Sequence, residues 1–195
     1  MTADEVVKEI TRRAWSFGVP CLLSPSSSVS GADGVNCSGY FDTKPLLLAC
    51  STGIVEQTWL GILLHEYCHL TQWAENCKAW QALDASPGMW GWLDGKPIKN
   101  AIGAVEITQE VEADCERRTV RLIREIGAPI DVEEYCRQAN SYIHFHNVIK
   151  THRTWTKAPG ALNHPEILKH CNTALDTRYE KTPKNLYDAL VKYAI

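Results

Sequence analysis

Residues 65–69 read His65-Glu66-Tyr67-Cys68-His69, two histidines four apart with a glutamate directly after the first. On a helix, positions i and i+4 share a face, so both imidazoles can reach one metal ion. Glu66 then lies beside that ion, placed to act as general base toward a water held there. Random ordering of this composition yields the pattern about 0.02 times per chain, so spacing alone carries weight. Its setting adds more: GILLHEYCHLTQW is apolar ahead of the motif, and a polar cluster in such a helix is costly without a metal or partners.

A catalytic zinc takes three protein ligands and keeps one position open. After His69 the next histidine is His144, so the third ligand is expected from a carboxylate. The stretch ITQEVEADCERR supplies Glu110 and Asp114, which share a helix face at i and i+4. Glu110 is the expected ligand, and Asp114 the acceptor that fixes a ligand histidine's tautomer. Glu106 and Glu112 are the substitutes; Glu112 points about 200° away from Glu110, so only one of those two can face the metal. The bland alternative is a solvated acidic stripe paired with Arg117, Arg118 and Arg121.

HExxH followed by a second helix bearing ExxAD resembles the gluzincin metallopeptidases, a pattern that the ImmA/IrrE-type and HtpX-type enzymes use. The run SGYFDTKPLLLACST looks like the edge hairpin ahead of the zinc helix in ImmA/IrrE-type proteins. The stretch from Asp114 to Trp155 is similar to uncharacterised predicted metallopeptidases of tailed bacteriophages. Two departures are visible: a gap of 41 residues from His69 to Glu110, and no counterpart of the HtpX membrane helices. The resemblance covers roughly residues 35–120. It implies a zincin-like helical domain, α+β and mostly α, with a small antiparallel sheet next to the HExxH helix. It also implies peptide hydrolysis on Zn2+ held by His65, His69 and Glu110, with Glu66 as base and a protein or peptide as substrate.

A second hydrogen-bond donor to the developing oxyanion usually assists such chemistry. NSYIHFHN offers Tyr142 and His146, which share a helix face, while His144 faces elsewhere. Against this, aromatic residues at helical spacing are more often core. Leu46 to Cys50 offers a strand for substrate pairing by edge addition, or plain core. Trp90 and Trp92 read as a lid, or as pins holding a loop to the body. Arg117, Arg118, Arg121 and Arg124 form a basic strip, but Glu112, Glu116 and Glu125 interleave with it, which favours a solvated ion-pair face.

The elements that must position these groups follow from periodicity and punctuation. Val6, Val7, Ile10, Ala14 and Trp15 predict an amphipathic helix over 3–17, stopped by Gly18 and Pro20. Residues 24–34 read as loop. A hairpin is expected from 35–42 and 46–50, turning at Thr43, Lys44 and Pro45. The motif helix is expected over 54–80, capped by Ser51 or Thr52. After a Gly/Pro/Trp loop over 84–100 come long helices over 101–126 and 132–150, the second opened by Asp131 and Glu134 as a capping box. Short helices begin near Pro165 and Pro183. We read one domain over 1–195, with its core at about 35–150 and 151–195 as a C-terminal extension.

Composition bounds the partners. The 195 residues are 45% hydrophobic and 22% charged, as in a folded globular chain. A net charge of −3 argues against a nucleic-acid partner dominated by electrostatics. No stretch approaches the roughly 18 apolar residues of a membrane span. The start has no apolar leader segment, so the chain is expected in the cytoplasm, the host's if it is phage-encoded. Eight cysteines without a CxxC are expected as reduced, mostly buried thiols. Three other functions remain consistent with the residues: a SprT-like protease acting on DNA-bound protein, a non-catalytic zinc-containing binding module, and a hydrolase of non-peptide amides.

Overall fold

The computed structural model describes residues 1–31 and 34–195. The chain runs α1 (Ala3–Ser16), β1 (Cys21–Ser24), β2 (Val29–Ser30), β3 (Asn36–Cys37), β4 (Gly39–Thr43), β5 (Leu46–Ser51) and α2 (Glu56–Ala74). It continues with α3 (Lys78–Asp84), α4 (Met89–Leu93), α5 (Ala101–Ile126), α6 (Val132–His152), a 3-10 turn (Ala161–Asn163), α7 (Pro165–Leu168) and α8 (Lys184–Ala194). The fold is therefore α+β and mostly α. It divides into two units, Met1–Cys77 with Cys115–Asp131, and Lys78–Asp114 with Val132–Ile195. No helix among the described residues is long and apolar enough to cross a membrane.

In the first unit, Thr2 caps α1 through a capping box with Glu5, and Val6, Ile10 and Ala14 are buried. Trp15, expected on that apolar face, is instead 69% exposed. At 100° per residue it falls about 100° from Ala14, beyond the stripe that Val6, Ile10 and Ala14 define. The sheet has strand order β1-β5-β4, with β1 parallel to β5 and β4 antiparallel to it. It is a mixed sheet, not the purely antiparallel one expected, because Cys21–Ser24 adds a strand beyond the hairpin. β5 is consequently the central strand rather than an edge. Its Leu48, Ala49, Cys50 and Ser51 are fully buried, matching an apolar run without alternation. The edge beside the hairpin is β4. Part of the expected loop over 24–34 is strand β2, paired antiparallel with β3; its residues 32 and 33 lie outside the described residues.

α2 packs across β4 and β5. Leu60, Leu63, Leu64 and Leu70 are buried along it, each contributing roughly 2 kcal/mol. The motif is thus held by apolar neighbours, and its histidines need not supply stability. Gly39 permits the close approach: a Cβ there would sit 2.5 Å from Ile62 Cγ2, 3.1 Å from Ala49 O and 3.3 Å from Glu66 Cγ. Val55, not Ser51 or Thr52, is the N-cap of α2, and it offers no side-chain cap. Thr52 instead donates its hydroxyl to Ser24 O at 3.0 Å, tying the loop back to β1. The helix also ends earlier than expected. Asn76 takes φ 48°, a left-handed conformation that asparagine tolerates, and α3 starts separately.

The second unit has its own core, built from Phe145, Val148 and Ile149 of α6 with Leu186 and Leu190 of α8. Met89, Val105 and Ile167 complete it, and Trp92 packs against it as a pin. Trp90 stays 53% exposed, its ring 4.7 Å from that of Trp155. Pro165 occupies the first turn of α7 as expected, whereas Pro183 is the N-cap of α8. The irregular segment after α7 is fastened to α6 by side chains. Asn140 donates to Asn172 O and Ala174 O, and accepts from the Asp176 amide and the Tyr179 hydroxyl. Asn147 donates to Tyr179 O at 2.8 Å, and so does Gln109 at 3.1 Å.

Candidate metal centre

One turn of α2 brings His65 and His69 together, their rings 4.6 Å apart and edge to face. The second helix to reach them within the first unit is the C-terminal part of α5. There Glu116, only 5% exposed, places Oε1 3.0 Å from His65 Nδ1. Gln72, three residues after His69 and fully buried, places Oε1 2.8 Å from His69 Nδ1. A carboxylate and an amide oxygen only accept hydrogen bonds. With these acceptors opposite, each Nδ1 is the ring nitrogen placed to donate. An acceptor on one ring nitrogen is the support that metal-binding histidines commonly have.

Cys115 is the third potential ligand in this unit. Donor atoms of His65, His69 and Cys115 lie within 4.8 Å of one another. Ligands on a tetrahedral zinc are about 3.5 Å apart, so closing such a site takes a modest side-chain movement. The thiol, however, sits on the Nδ1 side of His65, 3.6 Å from Nδ1, and donates to the His65 carbonyl at 3.2 Å. A metal on Nδ1 and Cys115 would have to displace the Glu116 hydrogen bond. A metal held on the two Nε2 atoms would leave these bonds in place.

Glu66 follows His65 on α2 and is half-buried, its Cγ next to Gly39 of the edge strand β4. The remaining expected site residues belong to the second unit. Glu110 is exposed on α5, and Asp114 is half-buried. Within the first unit, Glu116 lies on His65 and Gln72 on His69 as hydrogen-bond acceptors. Spacing alone singles out neither. Charge alternation places Glu116 on a solvated face of ion pairs, yet the fold buries it against His65. Of the arginines of that strip, Arg118 pairs with Glu75 at 2.7 Å and Arg121 donates to Arg117 O on its own helix.

Tyr142, His144 and His146 are all on α6. His146 is fully buried, with Nδ1 3.2 Å from Tyr142 O and 3.3 Å from Ile143 O, and no hydrogen-bond partner at Nε2. Burial holds its pKa below the ordinary value, against the opposing pull of Glu112. Tyr142 packs edge-on against His146. His144 Nε2 meets Asp176 Oδ2 at 2.8 Å, and Thr182 Oγ1 lies 3.3 Å from its Nδ1. That hydroxyl-imidazole-carboxylate series is a structural latch. The Thr182 hydroxyl also accepts from Asn147 and contacts the His144 carbonyl, so its bonding capacity is filled. All eight cysteines are thiols; burial pushes Cys50 and Cys171 up to about 12, which keeps them unreactive.

Comparison with protein-family models, with curated proteins and with solved structures returns no match.

Proposed function

We propose that the chain is a zinc-dependent peptidase in which Nε2 of His65 and of His69 bind the metal and Glu66 is the general base. The observation that carries this reading is the pairing of both Nδ1 atoms with acceptor oxygens, at 3.0 and 2.8 Å. The third ligand stays the carboxylate that the sequence motif calls for, Glu110, with Glu106 and Glu112 as its substitutes.

A zinc ion on these ligands would supply Lewis acidity and acidify a water toward neutrality. Glu66 accepts the proton from the attacking water and returns it to the leaving amine. Gln72 and Glu116 hold the imidazoles in register. An extended substrate pairs with the edge strand β4, since β5 is occupied on both sides, and β4 runs beside Glu66.

The test is metal content by mass spectrometry together with hydrolysis of an unfolded protein such as casein. Wild type and Glu66→Gln should each carry one zinc, with turnover lost in the variant; His65→Ala and His69→Ala should lose the metal. Hydrolysis that survives Glu66→Gln, or a metal-free wild type, defeats the proposal. The His65, His69 and Cys115 cluster favours a second reading, a closed structural zinc. There Cys115→Ser removes the metal and wild type hydrolyses nothing.

A further inference from the structure

We propose that the second unit carries a binding site for a small phosphate ester, in the cavity formed by the loop after α4 and the residue that follows α6. This site is independent of the zinc reading. The cavity is about 440 Å3 and is lined by Trp92, Gly95, Lys96, Ile98, Lys99 and Arg153, among others. That volume falls in the range of small-molecule sites. No lining residue bears a carboxylate.

The three cations are the point. In a chain of net charge −3, Lys96, Lys99 and Arg153 surround one cavity, and none has an ion-pair partner among the described residues. Among the described residues, Lys150, Lys169 and Lys184 of the same unit pair with carboxylates and Lys78, Arg178 and Lys181 do not, so what marks this place is the gathering of three cations around one cavity. Like charges gathered without counterions repel, and an anion seated between them relieves that repulsion. Arg153 is also pre-positioned. Its Nε donates to Trp92 O at 2.8 Å, and its guanidinium lies 5.2 Å from the centre of the Trp92 ring. This holds the fork while its two terminal nitrogens make no hydrogen bond to the described residues, which suits bidentate recognition of a phosphoryl group. Trp92 and Ile98 give the cavity an apolar wall for the organic part of the ester. Gly95 takes φ 89°, and a Cβ there would meet nothing within 4 Å, so the mouth is open on that side.

Isothermal titration of the full chain with ADP, inorganic phosphate and a short single-stranded oligonucleotide tests this. ADP should bind with a dissociation constant of about 1 mM or tighter, weakening as salt rises. A Lys96→Gln/Lys99→Gln double variant should bind at least about tenfold more weakly, with an unchanged thermal melt. Lys96 and Lys99 are exposed, so the variant tests the ligand rather than the fold. Inorganic phosphate should compete with ADP. The proposal is overturned if ADP does not bind, if the double variant binds it equally, or if only the oligonucleotide binds.

Discussion

Glu116→Gln tests the proposed metal centre at its least conspicuous part. The substitution keeps the shape of the side chain and an acceptor oxygen 3.0 Å from His65 Nδ1, but removes the charge. A hydrogen bond to a charged group contributes about 1 kcal/mol more than a neutral one. The carboxylate also makes the imidazole a better donor to a metal, and loss of such a partner lowers metal affinity about 10–100-fold. The two estimates meet at about tenfold, or about 1.4 kcal/mol. Competition for zinc against a chromophoric chelator reads this directly, with thermal melts of the metal-free proteins to show that both fold. Cys115→Ser is the companion variant and should keep zinc. Unchanged affinity in a folded Glu116→Gln protein, together with zinc lost in Cys115→Ser, would put the metal on Nδ1 and refute the assignment of the tautomer.

Gly39→Ala should destabilise the first unit by about 1–3 kcal/mol, measured by urea denaturation, because the new methyl meets Ile62 and the backbone at Ala49. A neutral result would mean that α2 can lift from the sheet at no cost. Asn140→Leu removes four hydrogen bonds, three to part-buried backbone groups and one to the buried Tyr179 hydroxyl, so a loss of about 3 kcal/mol is expected in the same assay. A loss under about 1 kcal/mol would show that water replaces the side chain there. Burial holds His144 and His146 below their ordinary 6.5, so the unfolded chain binds protons that the native chain does not. Stability should be complete above that pH and fall as pH drops below it, by up to about 1.4 kcal/mol per pH unit for each histidine. A urea midpoint that stays flat or rises between neutral and mildly acidic pH contradicts this.

Much of the scaffold is legible in the sequence because it depends on strong periodic signals. The helices Ala101–Ile126 and Val132–His152 have long apolar stripes and clear stops, and they stand where expected. β1 is not legible because four residues, CLLS, show neither alternation nor flanking turn chemistry distinct from the loop beside them. The break after Ala74 is silent because it lacks glycine and proline; Asn76 alone makes the turn. At the candidate metal centre, spacing singles out the histidines, but the acidic partners on α5 are ambiguous for a geometric reason. Glu110 with Asp114, and Glu112 with Glu116, flank the same apolar stripe of Val111, Cys115 and Leu122 on opposite sides, at roughly mirror-image angles. Hydrophobic periodicity cannot choose between mirror flanks. The choice comes from tertiary contact, where Glu116 meets His65.

The segment after α7 is held by its main chain. Asn140, Asn147 and Gln109 grip the carbonyls of residues 172, 174 and 179. Such a grip barely senses which side chains those residues carry, apart from the contacts of Asp176 and Tyr179. Over evolutionary drift, residues 173–175 should vary freely while Asn140 and Asn147 stay fixed. The instructions for the shape of this stretch are stored some thirty positions upstream, in the helix that holds it.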